Sequence, residues 1–146
     1  MRSWLDGDER LSLTEPHWLA ERTFRQDDIP AIRRFAEAFG ARAGLPSARL
    51  ADFVLAASEA AACVTSWGPC ITRVRLWLTG RRAFCEVRSD TVVRRRAAQG
   101  TAWPDGPCGE EAALRRWVLR QLSDYVSVAS GPDGSWVLFS MSVAGG

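Results

Sequence analysis

The spacing of apolar side chains changes once in the middle of this chain, from the period of a helix to the alternation of a strand. Between residues 29 and 64, apolar residues recur at steps of three and four, as on one face of an α-helix. Between residues 71 and 88 they alternate with polar residues, as in strands with one buried face. Two helices followed by a β-hairpin therefore predict an α+β domain in which helices cover one face of a sheet.

The first predicted helix follows the acidic pair Asp27 and Asp28 and ends at Gly44. Either acid can cap the helix, and Pro30 fits its first turn because the N–H that proline lacks would have no helical partner there. A glycine at the end allows the left-handed backbone that often closes a helix. The inward stripe of this helix is formed by Ile32, Phe35, Ala36, Phe39 and Ala43.

Two further helices are predicted. One begins at Ser47, which is expected to cap it, and stops at the Gly68-Pro69 pair. Its inward face is formed by Leu50, Phe53, Val54, Ala57, Ala61 and Val64. The other covers residues 110–124, where acids open the helix and arginines follow, as the helix dipole favours. Its inward residues are Ala113, Leu114, Trp117, Val118 and Leu122, and its outward residues are Arg115, Arg116 and Arg120.

Five strands are predicted around these helices: an edge strand in residues 17–24, the hairpin, and a final antiparallel pair in residues 125–143. The hairpin places Arg73, Arg75 and Trp77 on the side opposite its apolar residues. This order predicts a two-layer α/β sandwich with a mixed, mostly antiparallel sheet and three helices on one face. We expect residues 19–143 to form the domain and residues 1–18 an N-terminal extension. Residues 89–109 are predicted to be a long loop, which suggests a lid, a binding loop or a disordered patch.

Composition argues against several classes of function. The formal net charge of +2 is too small to imply nucleic acid as a partner. No run approaches the roughly 18 apolar residues of a membrane span. Acids occur where a signal peptide needs an apolar stretch, so we expect a cytoplasmic protein without a membrane partner. Because His17 is the only histidine and the four cysteines form no CxxC pair, we expect reduced thiols and no metal site.

Four separated segments carry a resemblance to a known family. They are TFRQDDIPAIRRFAEAFGARAGL, RLADFVLAASEAA, VRLWLTGRRAFCEVR and WVLRQLSDYVSVASGPDGSWVLF, in this order along the chain. With the order of helices and strands, they resemble the Bergerat ATP-binding fold of histidine kinases and gyrase-type ATPases, and in particular the bacterial anti-sigma factor serine kinases. The resemblance implies the Bergerat fold, a site for ATP and Mg²⁺, and protein partners in the control of transcription.

In this family a helix carries a Glu that can act on the attacking group and, four residues later, an Asn that ligates Mg²⁺. Glu59 matches the first position, whereas Cys63 stands at the second, where a soft sulfur is poorly suited to Mg²⁺. The resemblance thus implies that Glu59 is a vestigial catalytic residue. A solvated helix-face carboxylate explains Glu59 equally well, and Cys63 is most simply a small core residue.

The adenine motif of the family, Asp-x-Gly, is also altered. It falls on Ser89 and Thr91 at the end of the hairpin. Asp90 can replace the missing acid only if the register slips by one residue, which would turn its side chain to the other face of the sheet.

The phosphate-binding motif, Gly-x-Gly, falls on Ala113, Leu114 and Arg115, so no glycine stands where backbone N–H groups would cradle phosphate. Arg115 can supply a positive charge in its place. A buried charge-assisted contact is worth about 1.5–3 kcal/mol, so losing all three motifs removes roughly 4 to 9 kcal/mol. That loss corresponds to on the order of three to six decades of nucleotide affinity.

The altered motifs predict a non-catalytic regulatory protein of the anti-sigma type, which sequesters a partner and has no cofactor. The implied partners are a sigma factor, an anti-anti-sigma factor or another signalling protein, and the protein can form a homodimer or a heterodimer. The main alternative is an active ATP-dependent serine/threonine kinase of the same fold, with ATP and Mg²⁺ as cofactors. A third hypothesis is a structural subunit that pairs with an intact paralogue.

Large aromatic residues near loops suggest contacts with partners, because tryptophan often anchors protein interfaces. Trp4, Trp18, Trp67 and Trp103 have such positions. We further expect Trp67 or Trp103 to fill the vacated nucleotide cavity. The arginine run at residues 94–96 is either solvated or bound to an acidic surface or to phosphate.

Overall fold

A computed structural model of the chain describes residues 19–25, 28–66, 71–90, 109–131 and 134–143. The predicted extension (residues 1–18), the arginine run at residues 94–96, and Thr91, Trp67 and Trp103 lie outside this part, so those predictions stay predictions. The described elements are β1 (Leu19–Phe24), α1 (Ile29–Ala43), α2 (Ser47–Thr65), β2 (Thr72–Thr79), β3 (Arg82–Ser89), α3 (Gly109–Leu122), β4 (Tyr125–Gly131) and β5 (Gly134–Ser142).

The five strands form one sheet in the order β1-β2-β3-β5-β4. All four neighbouring pairs are antiparallel, so the prediction of a mixed sheet is wrong. The reason is that β4 and β5 form a hairpin, and β5 lies next to β3 and runs antiparallel to it. The predicted α+β class, with helices layered on a sheet, is confirmed.

The core lies between the helices and one face of the sheet. Phe53 of α2 is at its centre, with ring centroids 6.1 Å from Phe39 of α1 and 5.6 Å from Phe139 of β5. The alternate residues of β2, β3 and β5 that face the helices are fully buried: Val74, Leu76, Ala83, Cys85, Val87, Val137, Phe139 and Met141. Helices and sheet therefore share one hydrophobic core.

Helix α1 begins and ends as its sequence predicts. Asp28 occupies the N-cap position, although its side chain makes no capping hydrogen bond, and Pro30 lies in the first turn. Gly44 follows the helix with a φ of 86°, in the left-handed region, and its N–H bonds to the carbonyl oxygen of Ala41. The predicted stripe faces the core, with Ile32 almost completely buried.

Helix α2 is the central element of the helical layer. Ser47 is its first residue and Pro46 takes the N-cap position, so the predicted capping by Ser47 is wrong. The helix ends at Thr65, and four of its alanines are completely buried: Ala56, Ala57, Ala60 and Ala61. Because alanine side chains are small, α2 can lie close to the sheet over much of its length.

The predicted inward face of α3 is wrong at Leu114 and Trp117, whereas Leu122 packs against the core as predicted. Leu114 and Trp117 are 60% and 57% exposed, whereas Leu119 is completely buried. The helix is rotated so that Leu119 packs into the core and Arg115 turns toward α2. Both arginine and leucine recur at helical spacing here, so the period alone did not determine which face would dock.

The outer face of the sheet, opposite the helices, is more buried than alternation suggests. Trp77 stacks on Phe84 with ring centroids 5.1 Å apart. Next to this pair, Glu86 is only 1% exposed, and its carboxylate lies 3.8 Å from the Arg88 guanidinium. Burial raises the pKa of Glu86, and the nearby Arg88, Arg75 and Arg73 oppose that rise without cancelling it.

The raised pKa of Glu86 predicts a specific pH dependence of stability. A carboxyl group whose pKa is higher in the folded state contributes stability below its unfolded pKa, near 4.5, and loses it as pH rises through the folded value. The Glu86→Gln variant should therefore have a larger free energy of unfolding than the parent protein at pH 7. The difference should shrink as pH falls toward 4.5. Urea unfolding of both proteins across this range measures it, and a less stable variant at pH 7 would contradict it.

None of the three described helices has the length and apolar character needed to cross a bilayer.

Candidate functional site

The candidate site lies where α2 meets α3. Glu59 and Cys63 are one helical turn apart on α2, as the resemblance requires. Glu59 is partly exposed, whereas Cys63 is 3% exposed and belongs to the core. Cys63, which the resemblance would align with a metal ligand, thus packs as a small apolar residue.

Glu59 forms an ion pair across the two helices. Nη1 of Arg115 donates a hydrogen bond to Oε1 of Glu59 over 3.1 Å. The two side chains are 28% and 21% exposed, so water screens the pair only in part. The structure therefore brings together two of the predicted site residues: Glu59, predicted as the catalytic acid, and Arg115, predicted to bind phosphate, form an ion pair with each other.

The next residue of α3, Arg116, is influenced by Cys63 and Arg120. The pKa of Arg116 is lowered, mainly by partial desolvation and then by the like charge of Arg120, while Cys63 acts in the opposite direction. At the end of α2, Oγ of Ser66 donates a hydrogen bond to the carbonyl oxygen of Cys63 over 2.7 Å. Among the described residues, no group of three or more His, Cys, Asp and Glu side chains is arranged to hold a metal ion.

The adenine-motif positions lie at the end of β3. Ser89 pairs with Thr72 of β2 and with Ser135 of β5, and all three residues are completely buried. Ser89 has the same parity as Val87, so its side chain faces the helical layer. This register excludes the slipped alternative for Asp90, which is exposed and accepts a hydrogen bond from the N–H of Ile71 over 3.4 Å.

The start of β5 packs tightly against the same strand end. Gly134 has a φ of 126°, which side chains rarely allow, and a Cβ atom there would overlap the carbonyl oxygen of Ser89. The backbone beside Ser89 is thus closely covered by Gly134. Ser89 is therefore enclosed by a strand on each side.

Of the remaining predicted positions, the structure describes Leu114 but not Thr91. Leu114 projects outward and is 60% exposed. Thr91 and the loop that follows it lie outside the described residues. The Glu59–Arg115 pair itself was missed by sequence reasoning, and no local signal predicts it, because it depends on how α3 is rotated against α2.

A groove between β1 and α1 is the second candidate site, and no pattern in the sequence predicts it. Its volume is about 660 Å³. Arginines and apolar residues line it: Leu19, Ala20, Arg22, Ala31, Arg34, Phe35, Ala38, Phe39 and Arg42. The Arg22 guanidinium lies 4.9 Å from the ring centroid of Phe35, a cation–π contact that holds it over the apolar floor.

Comparison with known proteins assigns this chain to no class of protein. No protein-family model matches the chain, and no curated protein is significantly similar to it.

Proposed function

We propose that this protein is a non-catalytic regulator of the anti-sigma type, which acts by binding a protein partner. The observation that carries the proposal is the hydrogen-bonded ion pair between Arg115 and Glu59 at 3.1 Å. A carboxylate that acts on an attacking hydroxyl group or water must point its oxygen at that group. Here Oε1 of Glu59 accepts a hydrogen bond from the Arg115 guanidinium on the neighbouring helix, which orients the carboxylate toward Arg115.

The position expected to hold Mg²⁺ supports the same proposal. Mg²⁺ requires hard oxygen ligands in near-octahedral geometry. Cys63 offers a sulfur atom, and its side chain is 3% exposed in the core. Binding of ATP with its metal at this position would therefore require α2 to expose a buried residue and still supply no oxygen ligand from it.

The groove between β1 and α1 supplies a surface for a partner. Its floor is apolar, and Arg22, Arg34 and Arg42 give its walls positive charge. An amphipathic helix with acidic residues beside its apolar face fits this combination, since the apolar face would cover Phe35 and the acids would meet the arginines. We propose a sigma factor, or the antagonist that displaces it, as the protein that supplies such a helix.

A charge-reversal variant tests this role. Arg34→Glu should weaken binding of a sigma factor from the same cell by about tenfold, because a repulsive charge at an interface costs on the order of 1.4 kcal/mol. Arg33→Glu is the matched control, since Arg33 is the adjacent exposed residue of α1 and does not line the groove. Affinity is measured by calorimetry with the purified factor.

Two outcomes would overturn the proposal. If both variants bind every sigma factor and antagonist of the cell as the parent does, the groove is not the partner site. If the protein transfers phosphate from Mg-ATP to a serine of the antagonist, and Glu59→Gln abolishes the transfer, the active kinase is the correct alternative.

A further inference from the structure

Strand β4 is an edge strand that contains no charged residue. The sheet ends at β1 on one side and at β4 on the other, and no other described strand pairs with the outer side of β4. Edge strands commonly carry charged side chains, which discourage pairing with another chain. β1 carries Glu21 and Arg22, whereas β4, with the sequence YVSVASG, carries no charge. β4 is therefore the edge at which a further strand can pair without burying a charge.

The backbone of β4 offers hydrogen bonds to such a strand. In an antiparallel pair, alternate residues of an edge strand direct their N–H and C=O groups away from the neighbouring strand. β4 pairs with β5 over its full length, from Tyr125 to Gly131. The outward groups of β4 thus form a regular row at one end of the sheet.

Helix α3 carries exposed apolar residues at the same end of the molecule. It packs beside α2 and contacts β4. Leu114 and Trp117 of α3 are both more than half exposed. Trp117 lies roughly 160° around the helix from Arg115, and Arg115 faces α2. The tryptophan therefore points away from the rest of the helical layer, on the side of the open sheet edge.

We propose that two copies of this chain pair antiparallel through β4, with Leu114 and Trp117 of α3 meeting the same residues of the second copy. A two-fold axis at Val128 pairs the whole strand with itself, so that Val126 lies opposite Ser130 of the second copy. The row of outward backbone groups then meets an identical row, as in a self-complementary two-fold interface.

One two-fold axis can serve the strand and the helix together. In an antiparallel pair of α3 helices, Leu114 lies opposite Trp117 of the second copy when the axis passes between residues 115 and 116. That point lies about 10 Å before the end of α3 at Leu122, at about 1.5 Å per residue. Val128 lies about 10 Å after the start of β4, at about 3.3 Å per residue. Since only two residues connect α3 to β4, both points lie at the same level.

The size of this contact determines the affinity that we expect. The contact extends roughly 23 Å along β4 and roughly 20 Å across the sheet and helix layers, which gives about 900 Å² for both copies together. Specific interfaces of standard size bury at least about 1,200 Å². We therefore expect a reversible dimer with a dissociation constant in the micromolar range.

The dimer leaves the groove between β1 and α1 free. β1 is the opposite edge strand, so the two grooves lie at the two ends of a continuous sheet with five strands from each copy. At about 4.8 Å per strand, they are roughly 40 Å apart. If the groove binds a protein partner, as proposed above, the dimer presents two such sites. The pairing of β4 does not depend on that proposal and is tested without any partner.

Sedimentation equilibrium of the full chain tests the dimer, from low micromolar to near-millimolar protein. The parent should pass reversibly from monomer to dimer in this range. Trp117→Glu should raise the dissociation constant about thirtyfold or more, because a tryptophan anchor contributes about 2 kcal/mol or more to an interface. Leu19→Glu is the matched control, because Leu19 is an exposed apolar residue on the opposite edge strand. It should leave the dissociation constant unchanged.

Amide hydrogen exchange locates the contact. Alternate amides in residues 125–131 should exchange more slowly at high protein concentration, because their outward N–H groups become hydrogen-bonded in the dimer. The amides of β1 should exchange at the same rate at every concentration. In Trp117→Glu, the outward amides of β4 should exchange quickly throughout.

Thermal melting at low micromolar protein checks that the fold of each monomer is intact. Because Trp117 is exposed, Trp117→Glu should keep the melting temperature of the parent. If that variant does not fold, Leu114→Glu replaces it with the same expected result.

Three results would overturn the proposal. A monomer at every concentration would exclude a second copy as the chain that pairs with β4. A dimer whose β4 amides exchange as quickly as those of the monomer would place the contact elsewhere. A dimer that is broken by Leu19→Glu and not by Trp117→Glu would place the contact at β1.

Discussion

Replacing Gly134 by alanine is expected to lower the free energy of unfolding by about 3 kcal/mol. Two effects add at this position. Its φ of 126° lies where an L-residue is strained, and the new Cβ would overlap the carbonyl oxygen of Ser89. Neither the backbone of β3 nor that of β5 can move away without breaking the ladder that joins them.

Gly44→Ala is the matched control for this loss. Gly44 also has a positive φ, 86°, but no atom lies within 4 Å of the position a Cβ would take. Only backbone strain remains, so the expected loss is about 1–2 kcal/mol. Urea denaturation compares the two variants, and equal losses would show that Gly134 is not held against Ser89 as described.

Phe53→Ala is expected to produce the largest loss, about 3–5 kcal/mol of unfolding free energy. Phe53 is completely buried and contacts Phe39 and Phe139, so its removal leaves a cavity where both helices meet the sheet. Because α2 carries Glu59 and Cys63, the same change should loosen the candidate site.

Leu55→Ala is the control on the same helix, since Leu55 is 42% exposed. Its replacement should change the free energy of unfolding by about 0.5 kcal/mol or less. Calorimetric melting of both variants measures the difference, and a loss below about 1.5 kcal/mol for Phe53→Ala would contradict the core position of its ring.

The elements with one clear apolar period were predictable from sequence. The apolar period predicts the buried residues of α1, α2 and the β2–β3 hairpin. Each element has one apolar stripe, so only one orientation places that stripe against the core. The register at Ser89 was predictable for the same reason. A slip by one residue would turn the alternating apolar residues from Val74 to Val87 away from the core.

Helix α3 shows where sequence reasoning fails. Leu114 and Trp117 continue an apolar pattern but are exposed, and Arg115 turns inward to Glu59. An arginine can face a helix neighbour when a carboxylate there accepts its hydrogen bond. That carboxylate lies 56 residues away in sequence, so a local pattern gives no information about it.

The burial of the outer face of the sheet could not be predicted from the sequence, for a related reason. Alternation assigns Trp77 and Glu86 to the side away from the helices, and both do lie there, yet both are buried. Burial depends on all the neighbours of a side chain, whereas a strand pattern indicates only the face to which the side chain points.

Three residues that the resemblance would align with a nucleotide site instead make contacts within the protein. Glu59 binds Arg115, Cys63 packs in the core, and Ser89 is enclosed between strands. The proposal of a non-catalytic regulator depends on these contacts being maintained in solution.

Calorimetric titration of the full chain with Mg-ATP and Mg-ADP tests this most directly, with Glu59→Gln as the matched variant. We expect no binding heat for either protein at millimolar nucleotide. A dissociation constant in the low micromolar range for the parent, lost in Glu59→Gln, would contradict it.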